Sequence, residues 1–490
     1  MNATSLDATA LEQSFAATGN PYLKGVYGPV FEEIDGLNLK PSHGAIPDDL
    51  TGVYLRNGPN PRWPARGRHH WFDGDGMLHA IEIRNGRVNY RNRWVRTQAF
   101  EQETRAAGSL WPGLIERPDR TLGQAWGADL WLKDGANTDV NMHGGSAVAT
   151  FYQCGLPYRV DPVSLETQGA IDLPALGARS MSAHSRVDAH SGEFLFFDYA
   201  VKPPYMTYGV LAADGSLRHF VPIELPGPRL PHDMAFTERY SILMDLPLFW
   251  DPALLPRDIH KVGYYPELPS RFGVLPRYGA SDSIRWFEAE PGYLYHAINA
   301  WEEGDEIVMD GCRMQSPVPR GSGEGGELAR MMAWLTMDAR LYRWRFNLKT
   351  GKVSEGWRDD LICEFPSMDA RAMGRRSKYA YAMQVAPEPT LRFEGLIKYD
   401  TDSGAAETWT FPDGAYGSEA PFAPRDGSRA EDDGYLLSFV TDQRGEHSEL
   451  QIFAATDVRH GPVARVPLPQ RVPAGFHACW ATAADLGPSR

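Results

Sequence analysis

Cysteine is scarce in this sequence. Cys154, Cys312, Cys363 and Cys479 are scattered over 490 positions, with no CxxC pair. This excludes a zinc ribbon or a disulfide framework and reads as reduced thiols in a cytoplasmic protein. Basic charge is short as well: 49 Lys and Arg face 63 Asp and Glu, a formal net charge of −14. Phosphate binding needs a basic surface, which argues against a nucleic-acid partner. Docking on anionic lipid is disfavoured except through a local patch. No apolar run reaches the ~20 residues of a membrane-spanning helix. The first residues, MNATSLDATALEQSFAATGN, have no basic n-region and no apolar h-region, so they do not read as a signal peptide. Peripheral membrane contact stays open, and nothing sets an oligomeric state. Walker A and GxSxG motifs are missing too.

Glycine (48) and proline (38) are plentiful. They punctuate short apolar or alternating runs such as SGEFLFFDYA, YSILMDLPLF, YAYAMQVA and GYLLSFVTD. AIEIRNGRVNYRNRWV predicts a hairpin turning at Asn85-Gly86. Many strands without alternating helices predict an all-β sandwich, barrel or propeller, and no sharp repeat singles out the last. Residues 327–344, ELARMMAWLTMDARLYRW, are the best helix candidate, either as a packed insertion or as a Met-rich ligand lining. Residues 247–277 predict a long insertion of the kind that forms binding loops or lids. GSGEGG at 321–326 lacks the βαβ setting of a dinucleotide site. DGDG from Asp73 lacks the Glu that closes a calcium loop, because the twelfth position is Arg84. His69 and His70, if in a strand, face opposite ways and cannot share an ion.

Four histidines sit in apolar surroundings: His184 in MSAHSRVD, His232 in RLPHDMAF, His296 in YLYHAINAW and His477 in GFHACW. Taken singly, each reads as a hydrogen-bonded core residue. Only a fold that gathers distant strands could bring them to one ion, and the inner strands of a propeller do that.

YLRNGPNP followed by HWFDGDGMLHA, and then AHSRVDAHSGEFLFFDY, LPHDMAFTERY, HAINAWEEGDEIVMDG, EFPSMDAR, EDDGYLLSFV and VPAGFHACW, resemble in order the motifs of the carotenoid cleavage oxygenase family. That family also contains stilbene- and phenylpropenoid-cleaving enzymes. The resemblance spans residues 20–482 as one domain and leaves 1–19 as an N-terminal extension outside it, with disorder left open. It implies a seven-bladed β-propeller with a helix-and-loop dome over one face. It also implies a non-haem Fe(II) held by His184, His232, His296 and His477, with Glu364 and Glu419 holding two of the rings from behind. Gln153 stands where many relatives carry a third Glu. His184 is followed by Ser-Arg where relatives often have Pro-Lys.

The implied reaction joins O2 to an apolar alkene. Splitting C=C into two carbonyls removes four electrons, and O2 accepts four, so no further cofactor is needed. The lysine that engages the phenol in stilbene-cleaving relatives falls on Tyr152, and their tyrosine falls in GSLWPGLIERP, which has none. Trp63, Tyr152 and Phe476 are the expected pocket residues, and Lys133 reads as a solvated charge. A carotenoid or apocarotenoid is therefore favoured over a hydroxystilbene. An iron-dependent isomerase, a non-catalytic propeller that binds an apolar ligand, and a propeller whose histidines are only core stay open.

Overall fold

The computed structural model describes residues 8–317 and 337–487. Among these residues the strands form seven antiparallel blades around one axis. Two Asn-Gly dihedrals show how local chemistry starts a blade. Asn85 (φ 51°) and Gly86 (φ 68°) both lie in the left-handed region, as a two-residue hairpin turn requires. They join Gly76–Arg84 to Arg87–Trp94 with Arg84 opposite Arg87.

The first blade is closed by the far end of the chain. Ala478–Thr482 pairs with Gly52–Pro59, setting Arg56 opposite Ala478 and Gly52 opposite Thr482. The inner strands of the next five blades are Asp139–His143, Arg186–Val187, Ala235–Phe236, Tyr293–Glu303 and Cys363–Ser367. Phe422–Pro424 begins the seventh, and Ala415–Gly417 bridges the last two blades by pairing with both. Blades stack face to face, so strands near the axis are covered on both faces: Phe194–Tyr199 and Met206–Leu211 are buried at every position. Outer strands meet solvent on one side. Arg87–Trp94 buries alternate residues.

Two expectations need correction. The helix expected over 327–344 is a strand in its last part: Arg340–Asn347 pairs with Glu306–Met314 and Val353–Trp357. Its buried Tyr342, Trp344 and Phe346 alternate with Arg343 and Arg345, a period of two that the preceding Met-rich run obscures. Residues 327–336 and GSGEGG at 321–326 lie outside the described residues. His69 and His70 are not in a strand either: the His70 imidazole caps a short turn, Trp71–Asp73, by accepting the Phe72 N–H.

The stretch 247–277 is part insertion and part blade. Leu248–Trp250 and Val262–Tyr264 form a separate ribbon, whereas Ser270–Pro276 returns to the fourth blade. In the N-terminal extension, Ala8–Ala17 is helical, and its Phe15 stacks on Phe31 at 5.8 Å. No described helix is long and apolar enough to cross a membrane.

Candidate active site

The four histidines come from four different blades, each at or just before the inner strand. His184 precedes Arg186–Val187, His232 precedes Ala235–Phe236, His296 lies within Tyr293–Glu303, and His477 adjoins Ala478–Thr482. Their rings converge. Centroids are 4.6 Å apart for His184 and His232, 4.9 Å for His184 and His296, and 5.2 Å for His232 and His296. His477 completes the ring at 4.5 Å from His184 and 4.6 Å from His296. All four are buried.

Carboxylates stand behind the rings. His296 Nδ1 donates to Glu364 Oε2 at 2.5 Å, and His477 Nδ1 donates to Glu419 Oε1 at 3.2 Å. Glu364 also accepts the Phe365 N–H at 2.9 Å, and Glu419 accepts the Ala478 N–H. Burial pushes both carboxyls up, Glu364 strongly. Burial, and then the neighbouring His477, hold His232 down at about 3. His184 and His296 are lowered well below the usual imidazole value by the same causes in the same order. His477 moves the other way: burial lowers it, but the facing Glu419, together with Asp139 and Asp233, carries the net direction up.

Nε2 of His184 and Nε2 of His296 are buried without a hydrogen-bond partner among the described residues. An orphaned polar nitrogen is costly in a core unless something else binds it. Ligand atoms of His184, His232 and His296 all lie within 4.8 Å of one another. Neutral imidazoles whose outer N–H is held by a carboxylate present their other nitrogen as a metal donor. The residues present therefore fit a divalent metal.

The space beside the four histidines is apolar and aromatic. A cavity of about 20 Å³, lined by Trp71, Phe72, Thr138, Phe365 and Phe476, touches His232, His296 and His477. His477 stacks on Phe365 at 4.4 Å and 15°, and Phe476 packs on Trp71 at 4.4 Å. A much larger cleft of about 1150 Å³ leads outward from His232. Tyr152, Tyr293, Tyr295 and Trp250 line its inner part; Arg117, Arg120, Asp258 and Lys261 stand among the charged residues nearer its mouth. Residues 258–262 and Leu248 belong to the inserted ribbon, which thus lines the cleft as a binding loop would.

The expected pocket residues separate. Tyr152 lines both the cleft and the small cavity, and Phe476 lines the cavity. Trp63 instead lines a neighbouring space of about 30 Å³ with His69, Trp111 and Lys133, not the cleft itself. Gln153 lines the cleft; its amide donates to the Tyr152 hydroxyl, and its Oε1 has no partner among the described residues. Lys133 is not a solvated charge: it is partly buried, with its ammonium between Asp75 (2.5 Å) and Glu103 (2.6 Å). Its neighbours in LWLKDGANTD carry no sign of partners that lie tens of residues earlier. Sequence reasoning also passed over Trp71, Phe72 and Tyr295, although the first two sit inside the HWFDGDG motif and the third adjoins His296.

Comparison with known proteins agrees with this geometry. The family profile described as "Retinal pigment epithelial membrane protein" matches residues 27–482. "Carotenoid 9,10(9',10')-cleavage dioxygenase 1" of Arabidopsis thaliana is 33% identical over 501 residues, covering 95% of this chain and 90% of that protein. The chain belongs to the carotenoid cleavage oxygenase family. Among solved structures of this family, Pseudomonas brassicacearum lignostilbene dioxygenase superposes with a TM-score of 0.85 at 28% identity, covering 95% of this chain and 99% of that one. A point variant of Synechocystis apocarotenoid oxygenase superposes with a TM-score of 0.79 at 26% identity, covering 96% and 99%. The seven blades counted above are thus the family's propeller, and its members named here are alkene-cleaving oxygenases.

Proposed function

We propose that the chain is a non-haem Fe(II) dioxygenase that cleaves a C=C bond of a carotenoid or apocarotenoid with O2, giving two carbonyl products. The observation that carries this reading is the ring of four buried histidines at the foot of the cleft, two with unpartnered Nε2 atoms. His184, His232, His296 and His477 would hold Fe(II), whose chemistry when bound is the activation of O2 toward an electron-rich alkene.

The chain's own groups do the rest. Glu364 and Glu419 hold the outer N–H of His296 and His477, which fixes ring orientation and offsets positive charge at the centre. Trp71, Phe72, Phe365 and Phe476 exclude water from the face where the alkene meets the metal. The cleft sets which double bond reaches that face, because a substrate threaded from the mouth stops where its inner end fills the space.

Two features favour a long polyene. A cleft of about 1150 Å³ exceeds the ~300–1000 Å³ usual for compact drug-sized ligands. The phenols at its inner end, Tyr152, Tyr293 and Tyr295, are all pushed up by burial and so stay protonated. They can donate hydrogen bonds but cannot take a proton. A polyene gives up no proton on cleavage, whereas a hydroxystilbene benefits from losing one. The second reading, stilbene or phenylpropenoid cleavage, rests on the 0.85 TM-score to the lignostilbene dioxygenase.

O2 uptake by iron-loaded protein, with mass spectrometry of products, tests both. An apocarotenal and a 4-hydroxystilbene are offered side by side, with His296→Ala as control. Aldehydes from the apocarotenal are expected and would locate the bond. Benzaldehydes from the stilbene alone would reverse the substrate assignment. Double-bond isomerisation without O2 consumption would replace the oxygenase reading with an isomerase.

A further inference from the structure

The seven blades deliver seven groups to the axis, and they are not all accounted for by four histidines and two glutamates. The remaining position, at the head of Asp139–His143, is a third carboxylate. Resting on the metal reading above, we infer that Asp139 is the positioning residue for His184.

Asp139 is buried, and its carboxylate is fixed from three sides. Oδ1 accepts the Val140 N–H at 2.7 Å; Oδ2 accepts the Asn141 side-chain amide at 3.2 Å and the His184 backbone N–H at 3.2 Å. The same Oδ2 lies 3.6 Å from His184 Nδ1. That is too long for a hydrogen bond but close enough for the charge to act on the ring. It favours the tautomer with the proton on Nδ1 and leaves Nε2 facing the other three rings, where it has no partner.

The backbone adds a second line of support. His184 has φ of 59°, in the left-handed region that is uncommon for any residue but Gly. The bond from its N–H to Asp139 holds it there. Gln153 makes no corresponding contact: its amide is committed to the Tyr152 hydroxyl, and no hydrogen bond joins it to any of the four rings among the described residues. His232 is held differently, by ring packing on Tyr152 at 5.4 Å and Tyr295 at 4.7 Å. The centre therefore has three histidines backed by carboxylates and one held by aromatic rings.

The test is Fe(II) affinity of the full-length protein, measured by competition with a chelator, and the visible spectrum of the Co(II)-loaded form. Asp139→Asn keeps an acceptor for the His184 N–H while removing the charge. It is expected to weaken Fe(II) binding about 10–100-fold and to alter the Co(II) bands, as is Glu364→Gln, whereas Gln153→Ala changes affinity by less than about threefold. Asp139→Glu restores the charge and should recover part of the lost affinity. A purely structural role would instead make the isosteric Asn the better tolerated of the two. Asp139→Asn binding within about threefold of wild type, with Glu364→Gln weakened, overturns this inference and spares the metal centre. Failure of the wild type itself to bind Fe(II) or Co(II) overturns the metal reading, and this inference with it.

Discussion

Replacing Glu364 by Gln separates the charge of a ring-holding carboxylate from its shape. Glu364 is fully buried; its Oε2 accepts both the His296 Nδ1–H at 2.5 Å and the Phe365 N–H at 2.9 Å, while Oε1 has no partner among the described residues. A glutamine can put its carbonyl where Oε2 stands and its NH2 where Oε1 stands, so both bonds survive and only the charge goes. A hydrogen bond to an ionised group contributes about 1.5–3 kcal/mol and a neutral one about 0.5–1.5 kcal/mol. The difference, about 1–1.5 kcal/mol, is close to tenfold in binding. Loss of a negative charge behind a dication adds to it, so Fe(II) affinity is expected to fall about 10–100-fold. Without metal the sign changes. A buried carboxylate oxygen with no partner is a liability that an amide reduces, so the metal-free variant should melt no lower than metal-free wild type. Chelator competition measures the first quantity and differential scanning calorimetry the second. Unchanged Fe(II) affinity, or a metal-free variant that melts well below wild type, would refute the reasoning.

Other consequences are open to the same kind of measurement. Between about pH 6.5 and about 3 the unfolded chain protonates His232 and the folded chain does not, so the His232 contribution to metal-free stability should shrink as pH drops through that window and be fully present above it. Urea midpoints of metal-free wild type and His232→Gln at about pH 7.5 and about pH 5.5 check this: wild type should lose ground to the variant at the lower pH, and a gain would contradict it. Phe476→Ala removes a ring that packs on Trp71 at 4.4 Å and Phe72 at 5.0 Å. It should cost about 3–5 kcal/mol in denaturant unfolding and broaden the set of bonds cleaved, as read from product masses. A Cβ at Gly475 would stand 1.4 Å from Arg56 Nη1 and 3.0 Å from the Asn57 carbonyl. Because His477 follows two residues later, Gly475→Ala should lower soluble yield and bound iron together. Gly108→Ala, where a Cβ meets nothing within 4 Å, should do neither.

The strands, the Asn85-Gly86 turn and the four histidines were all legible in the chain, because each is written in neighbouring residues: alternation, turn chemistry, an imidazole among large apolar groups. Glu364 and Glu419 came from resemblance to family motifs, and their carboxylates stand 2.5 Å and 3.2 Å from Nδ1 of His296 and His477. Reading failed where local pattern and tertiary demand diverged. The Met-rich run drew Arg340–Asn347 into a helix, although an open face of Glu306–Met314 was waiting to pair with it. Trp63 looked like a wall of the cleft and lines the space beside it.

By itself the sequence determined a β-rich chain with a greasy insertion and candidate ligands, since hydrophobic period and turn residues act over a few positions. Tertiary structure decided which candidates meet. Ala478–Thr482 closes the ring against Gly52–Pro59, and that closure sets where every inner strand begins on the axis. Asp139 reaches His184, and Lys133 is held between Asp75 and Glu103, for the same reason. Each contact joins groups whose approach depends on the packing of whole blades, a distance that no residue's neighbours in the chain encode.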